Sequence, residues 1–229
     1  MLGYYGVDVT MLYPVPKLPS IHKEIIRNKA DISLVMGVWR WHWLIRTQML
    51  PGKKIFRVQG SDAYNIKPET KALLTVMHRS GIPILYAGKN LREIIGLSGE
   101  VIPTPIDTKI FRPLKEVERE KDVLYYCPHN KNQMYRLDKL HEYIRTHPDE
   151  SVTVVDGTIP HEKMPILFNQ HKKYIRWTTH DANPKMPYEA LRCGCKVWHN
   201  GQPIKEVPKN MLMENSIPKF ISFFKTISQ

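Results

Sequence analysis

Residues 178–197, TTHDANPKMPYEALRCGCKV, carry the strongest architectural signal in this sequence. An apolar run ends where this segment begins, and a polar loop with two prolines follows. Pro187 suits the first position of a helix, because it needs no amide partner there. We therefore predict a strand over Tyr174–Thr178, a helix over Pro187–Cys193 and a strand over Lys196–His199.

Glu189 falls in the first turn of this predicted helix. A helix start favours negative charge, and its free backbone amides suit a diphosphate. A carboxylate beside them can accept hydrogen bonds from both hydroxyls of a ribose. An ordinary loop-to-helix turn with one acidic residue explains the same pattern, so the spacing alone leaves both interpretations open.

The alternation of strand and helix extends outward through the chain. The predicted strands are Val7–Tyr13, Ile32–Met36, Lys54–Val58, Ile82–Ala87, Glu100–Pro103, Val123–Cys127 and Val152–Asp156. The predicted helices are Ser20–Asn28, Trp39–Met49, Pro68–Ser80, Asn90–Gly96, Tyr135–Thr146, Pro160–His171 and Ile217–Ile227. This order predicts parallel sheets covered by helices.

Residues 104–122 interrupt the alternation with two prolines and a charged run, which is typical of a linker. We predict an N-terminal domain over residues 1–113 and a C-terminal domain over residues 114–229. Both are expected to be Rossmann-like, doubly wound α/β domains that face each other across a cleft. Ligands of such sheets bind beyond the carboxyl ends of the strands.

The composition favours an anionic partner. The 229 residues carry a net charge of +12, and residues 1–113 hold 16 Lys and Arg against 8 Asp and Glu. Nucleic acid, a lipid surface and a phosphorylated substrate all fit this charge, as does a basic, solvated surface. No apolar run approaches the ~18 residues of a transmembrane helix, so we expect a cytoplasmic protein.

Two ordered motifs resemble glycosyltransferase family 4 and its GT-B relatives. The family signature is an acid, seven residues and then Glu-Ala, which Asp181 and Glu189-Ala190 match. Residues 101–113, VIPTPIDTKIFRP, resemble the family's interdomain segment. The resemblance implies a GT-B fold, in which the last helix, Ile217–Ile227, is expected to return to the N-terminal domain. The N-terminal domain is expected to be abbreviated, because the family's opening strand and Gly-rich loop are not evident.

The resemblance also implies roles for residues of the C-terminal half. Glu189 would hold the donor ribose, and Asp181 would contact hydroxyls of the transferred sugar. Lys131 and Arg136 would clamp the donor diphosphate, although a solvated loop is the alternative for each of them. The adjoining donor-site residues are Asn183, Pro187 and Tyr188.

In the N-terminal half, residues 56–62, FRVQGSD, resemble a turn in which the family has a histidine facing the reacting sugar. Gln59 stands at that position, and glutamine cannot act as a general base near neutral pH. Asp62 is the alternative proton acceptor, unless the leaving diphosphate takes the proton. Trp39, Arg40 and His42 are candidate acceptor-binding residues, because aromatic faces stack on sugars. Packing within one helix is the alternative.

The chain lacks the Asp-x-Asp motif of metal-dependent glycosyltransferases, so no metal or cofactor is expected. Cys193-Gly194-Cys195 is too closely spaced for a usual zinc site, and buried thiols are favoured. The expected partners are a nucleotide sugar and an anionic or lipid-linked acceptor, and a peripheral membrane contact is left open. No specific nucleic acid is expected. The resemblance implies a glycosyltransferase that moves a sugar from a nucleoside-diphosphate sugar to an unknown acceptor, with retention of anomeric configuration and without metal. The alternatives are an inactive sugar-nucleotide-binding protein and a basic nucleic-acid-binding module.

Overall fold

A computed structural model describes residues 31–37, 40–50, 52–128, 131–181 and 184–228 of the chain. The predicted strand Val7–Tyr13 and helix Ser20–Asn28 lie outside these residues. The chain divides into two compact units. The first comprises residues up to Pro103 together with the segment from Ser216, and the second is Thr104–Asn215.

The first unit contains a parallel four-stranded sheet in the order β1-β2-β3-β4. Its elements are β1 Ile32–Met36, α1 Trp41–Thr47, β2 Lys53–Val58, α2 Ser61–Tyr64, α3 Pro68–Arg79, β3 Ile84–Tyr86, α4 Lys89–Ile95 and β4 Glu100–Val101. Short apolar runs became the strands as predicted. The central strands β2 and β3 are largely buried, because a strand inside a parallel sheet is covered on both faces, whereas the edge strands β1 and β4 are only partly buried. The four-residue helix α2 was not predicted.

The last helix of the chain, α8 (Met213–Ser228), contributes to the core of this first unit. Phe220 packs with Ile55, Leu85 and Ile102. The guanidinium of Arg57 lies 4.7 Å from the centre of the Phe220 ring, and its Nη2 donates to the Ile102 carbonyl at 3.0 Å. Burial lowers the pKa of Arg57 to about 10. The buried guanidinium of Arg57 in β2 therefore contacts both the residue that follows β4, Ile102, and the last helix.

The second unit contains a five-stranded sheet in the order β6-β5-β7-β8-β9. Its elements are β5 Lys121–Tyr126, α5 Leu137–Thr146, β6 Val152–Val155, a 3-10 turn His161–Lys163, α6 Met164–Gln170, β7 His171–Arg176, α7 Lys185–Arg192, β8 Lys196–His199, β9 Gln202–Ile204 and a 3-10 turn Lys209–Met211. Strands β5 to β8 are parallel, and β9 returns antiparallel to β8.

Alternate residues of β5 and β7 form the cores on the two faces of this sheet. Leu124 and Tyr174 belong to one buried cluster, and Tyr125 and Ile175 belong to the other. This alternation is what a strand covered by helices on both faces requires.

The predicted boundaries near β7 are wrong. The expected helix Pro160–His171 is divided into a 3-10 turn and α6, and His171 already begins β7. Strand β7 includes Lys172 and Lys173, which a search for apolar runs leaves out of a predicted strand. Their charges are compensated locally, because Lys172 pairs with Asp122 and Lys173 with Glu150. Within the described residues, none of the helices is both long and apolar enough to cross a membrane.

Candidate functional site

The sheet of the second unit has a topological switch point between β5 and β7. The chain leaves β5 toward β6 on one side, and it leaves β7 toward β8 on the other. This is the flavodoxin-like strand order, in which ligands bind beyond the carboxyl ends of the two diverging strands. The loops that follow Tyr126 and Arg176 begin at this edge, and they contain the predicted cations and the predicted Asp181.

These two loops are bonded to each other. The amide of Thr179 donates a hydrogen bond to the carbonyl of Met134 at 2.9 Å. The guanidinium of Arg176 lies 5.0 Å from the centre of the Tyr135 ring. The structure therefore brings the loop of Lys131 and Arg136 together with the loop of Asp181.

Asp181 is held by a buried arginine at the end of β7. Arg176 Nη2 lies 2.8 Å from Asp181 Oδ2, and the two side chains are only 9% and 13% exposed. His199 Nε2 lies 3.7 Å from the same oxygen. Burial acts to lower the pKa of Arg176, but the neighbouring Tyr174 and Asp181 outweigh it and raise that pKa above its ordinary value. Asp181 therefore lies beside a permanent cation at the switch point.

The two predicted diphosphate-binding cations differ in their surroundings. Arg136 forms a two-point ion pair with Asp138, with Nε–Oδ1 at 3.0 Å and Nη2–Oδ2 at 2.8 Å. It also has a left-handed backbone conformation, with φ of +44°. Lys131 is exposed, and the described residues offer no ion-pair partner for its side chain. An anion that binds Arg136 would therefore have to displace Asp138.

The predicted start of the helix at Pro187 is wrong. Helix α7 begins at Lys185, so Glu189 lies in its second turn rather than its first. Pro187 is accommodated within the first turn, where no amide partner is needed. Pro184 precedes the helix, and together the two prolines remove two of the amides that a helix start ordinarily offers. The diphosphate-binding capacity of this helix start is smaller than the sequence indicated.

The carboxylate of Glu189 is buried, and its side chain is only 1% exposed. It accepts from Lys185 Nζ at 2.8 Å and from His161 Nε2 at 3.0 and 3.2 Å. The ring of Phe111 underlies both partners, with its centre 5.1 Å from the His161 ring and 5.9 Å from Lys185 Nζ. In this structure Glu189 therefore binds two side chains, and any ligand must compete with them.

His161 was not predicted as a site residue from the sequence. The loop after β6 was expected at the ligand-binding edge of the sheet, but nothing in the sequence joins His161 to Glu189, 28 residues away. Burial raises the pKa of Tyr188, and the charge of Asp181 adds to the effect. Pro187 is buried in α7, and Asn183 lies outside the described residues.

The candidate residues of the N-terminal half belong to the first unit. Gln59 follows β2, and its Nε2 lies 3.8 Å from the sulfur of Met36. Arg40 is exposed and directly precedes α1, where the ring of His42 meets Trp41 edge-on at 5.7 Å. Asp62 lies in α2, and Trp39 lies outside the described residues.

Cys193 and Cys195 are buried thiols, as the sequence favoured. Gly194 between them has φ of +92°, a conformation that suits the residue after a helix. Arg119 Nη2 donates to the Cys193 carbonyl at 2.7 Å. A Cβ on Gly194 would lie 3.1 Å from Arg119 Nη2. The Cys-Gly-Cys motif therefore serves the packing of α7. Among the described residues there is no group of three or more His, Cys, Asp and Glu side chains that could hold a metal ion.

Comparison with solved structures agrees with this topology. Over 92% of its length, the chain superposes on 70% of sucrose-phosphate synthase from Thermosynechococcus elongatus, with a TM-score of 0.56 and 11% identity. Over 91% of its length, it superposes on 51% of the pneumococcal O-GlcNAc transferase GtfA, solved with UDP and GlcNAc, with a TM-score of 0.52 and 10% identity. A similar match to TarM covers 50% of that protein, with a TM-score of 0.51 and 13% identity.

The chain has a GT-B fold. It consists of Rossmann-like α/β units with parallel sheets, and it spans about half the length of GtfA and TarM. No protein-family model matches the sequence, and a comparison with curated proteins finds no match either. Membership of family 4 therefore stays a prediction.

Proposed function

We propose that this protein is a glycosyltransferase that moves a sugar from a nucleoside-diphosphate sugar to an acceptor hydroxyl. The hydrogen bond between Thr179 and Met134 carries the proposal, because it joins the loop of the two cations to the loop of Asp181 at the switch point. A diphosphate needs cations, and a sugar needs a carboxylate that accepts from its hydroxyls. Both kinds of group meet at the edge where open α/β sheets bind ligands.

In this proposal the second unit binds the donor. Lys131 and Arg136 offset the charge of the diphosphate, and Asp181 accepts hydrogen bonds from the transferred sugar. Glu189 accepts from the ribose hydroxyls after one of its present partners gives way. The loop and helix residues beside these carboxylates, Asn183, Pro187 and Tyr188, complete the donor site.

The reaction breaks the bond between the anomeric carbon and the diphosphate oxygen, and it forms a bond from that carbon to the acceptor oxygen. The proton of the acceptor hydroxyl passes to the leaving diphosphate, and Asp62 is the alternative proton acceptor. We propose retention of anomeric configuration and no requirement for metal, with Lys131 and Arg136 stabilising the leaving group. Gln59 contributes a hydrogen bond to the reacting sugar, since its amide cannot take a proton.

The proposal is tested by the unfolding stability of the protein with UDP, GDP, ADP and their sugar conjugates. A ligand at 100 times its Kd adds about 2.7 kcal/mol of stability. Glu189→Gln is expected to lose this stabilisation, whereas Glu162→Gln, in the exposed 3-10 turn nearby, keeps it. Sugar transfer or slow donor hydrolysis then distinguishes an enzyme from an inactive binder.

No response to any nucleotide would refute the proposal. Tight DNA binding with a steep salt dependence and no nucleotide response would instead support the basic nucleic-acid-binding module. Activity that survives treatment with a chelator supports the metal-independent mechanism, and its loss contradicts that part of the proposal.

One surface of the first unit supports an anionic, lipid-linked acceptor. Trp41, Ile45 and Met49 recur every four residues along α1 and its end, and they are 47%, 50% and 58% exposed. Arg40 and Arg46 are exposed in the same segment. Apolar side chains flanked by cations suit a peripheral contact with anionic lipid, and Arg40 and His42, with Trp39, would then bind the acceptor.

Co-sedimentation with vesicles tests this part of the proposal. We expect binding to phosphatidylglycerol vesicles, weaker binding to phosphatidylcholine vesicles, and a loss of binding in Trp41→Ser/Ile45→Ser. Val76→Ser replaces a residue of α3 that is 60% exposed, and it is expected to bind as the unmodified protein does. Equal binding by all three proteins would contradict the assigned surface.

A further inference from the structure

His161 and Glu189 form a contact that closes the predicted ribose site. His161 Nε2 lies 3.0 Å from Oε1 and 3.2 Å from Oε2 of Glu189, so one ring nitrogen spans both carboxylate oxygens. The Glu189 side chain is 1% exposed, whereas the His161 side chain is 52% exposed. The buried carboxylate is thus reached from the solvent side through a half-exposed imidazole.

The two partners of Glu189 are not equally easy to displace. Lys185 precedes Glu189 by four residues on α7, so the helix itself keeps its ammonium near the carboxylate. His161 comes from a separate 3-10 turn, and it is more exposed than Lys185, whose side chain is 28% exposed. A hydroxyl that approaches Glu189 therefore has least to displace at the His161 contact.

We propose that His161 occupies the position of the ribose hydroxyls on Glu189 and exchanges with them when a nucleotide binds. The two vicinal hydroxyls of a ribose would donate to the same two oxygens that His161 now spans. His161 is then a specificity-determining residue, because its contact is lost only when the ligand carries these hydroxyls. This inference rests on the proposed function, in which Glu189 is the ribose ligand.

The exchange predicts a defined effect of removing His161. In His161→Ala a ribonucleotide no longer has to break the internal hydrogen bond, so its binding becomes about threefold to tenfold tighter. A 2′,3′-dideoxynucleotide has no hydroxyl to offer Glu189, so its affinity stays within about twofold. The ratio of the two affinities is therefore expected to rise. A residue with only a structural role would change both affinities alike.

The experiment measures the Kd of UDP, GDP and ADP and of their 2′,3′-dideoxy forms by calorimetry. His161→Phe keeps a ring against Phe111 but cannot donate to Glu189. It is expected to show the same affinities as His161→Ala, and it replaces that variant if the loss of the ring disturbs folding. His141→Ala, at an exposed histidine of α5, is the matched control and should leave both affinities unchanged.

Three outcomes are decisive. A selective gain in ribonucleotide affinity in both His161 variants supports the exchange. Weaker ribonucleotide binding, or an equal change for both nucleotide forms, overturns it while the proposed function stands, provided that Glu189→Gln abolishes the preference for ribose. Absence of binding by the unmodified protein overturns the proposed function and this inference with it.

Discussion

Arg176 and Asp181 form an ion pair in which Nη2 and Oδ2 are 2.8 Å apart and both side chains are almost removed from solvent. The pair lies where β7 ends and the loop before α7 begins. Burial of two charges is costly unless they compensate each other. The pair therefore fixes the position of Asp181 before any ligand arrives, which suits a carboxylate that must meet particular hydroxyls of a sugar.

Asp181→Ala is expected to lower the free energy of unfolding by about 3 kcal/mol, because it leaves the buried Arg176 without its counter-ion. Urea unfolding followed by circular dichroism measures the loss. Glu142→Ala removes an acid from an exposed pair with Lys139, and it is expected to cost less than about 1 kcal/mol.

The combination Arg176→Met/Asp181→Leu tests the coupling between these two residues. It removes both charges, so its loss of unfolding free energy should be at least about 1 kcal/mol smaller than the summed losses of Arg176→Met and Asp181→Leu measured singly. Additive losses would show that the two side chains contribute independently, contrary to the ion pair as observed.

Arg136 has a left-handed backbone conformation in the loop that we assign to the diphosphate. For a non-glycine residue this conformation costs about 1–2 kcal/mol, and strain of this kind is common at functional sites. We expect Arg136→Gly to be about 1 kcal/mol more stable than Arg136→Ala, since both lose the guanidinium and only the first relieves the backbone. Urea unfolding compares their stabilities.

The same two variants test the function of Arg136. Both are expected to bind UDP or GDP more weakly than the unmodified protein, and to a similar extent, because both lack the cation. Equal stability of the two variants would contradict the strain, and undiminished nucleotide binding would contradict the assigned role.

Local patterns predicted much of this fold. Ile32–Met36 was predicted as a strand with the boundaries that the structure shows, because a short, mainly apolar run between Asp31 and Gly37 is typical of a strand. The alternation of strands and helices predicted the parallel sheets. The helix containing Glu189 was predicted, but its start was not, because Pro184 and Pro187 are both compatible with a helix beginning and only the folded loop distinguishes them.

The remaining features depend on contacts between residues that are distant in sequence. Arg119 donates to the carbonyl of Cys193, 74 positions later, and this contact gives Gly194 its packing role. His161 reaches Glu189 in the same way. A single sequence shows the chemical type of such residues but not which of them meet, so the contact between His161 and Glu189 was not predictable.

Gly99 is required by close packing in the first unit. A Cβ at this position would overlap the carbonyl oxygen of Ile84 and lie 2.8 Å from the Tyr86 ring. The carbonyl belongs to the buried strand β3, which cannot move aside easily. We therefore expect Gly99→Ala to lower the free energy of unfolding by about 2 kcal/mol, measured by urea unfolding.

Gly60 provides the matched control for this substitution. It lies in the same unit, and a Cβ there would have no neighbour within 4 Å. Gly60→Ala is expected to change stability by less than about 0.5 kcal/mol. Similar losses in both variants would indicate a general effect of replacing glycine rather than the contact with Ile84.

The buried thiols of the Cys-Gly-Cys motif predict a loss of stability at alkaline pH. Burial raises the pKa of Cys195 to about 11 and that of Cys193 to about 12. Unfolded thiols lose their protons near pH 8.5, so above that pH the folded chain holds protons that the unfolded chain has released. The stabilising contribution is complete below about pH 8 and declines as the pH rises toward 11.

The stability difference between pH 7.5 and pH 9.5 measures this contribution. For two such thiols we expect a decline of about 2.7 kcal/mol in the unmodified protein. Cys193→Ala/Cys195→Ala is expected to be less stable at both values, because it removes packed atoms, but its decline with pH should be smaller by that amount. If the two proteins lost stability in parallel, the buried thiols would not be the groups whose protonation is linked to folding.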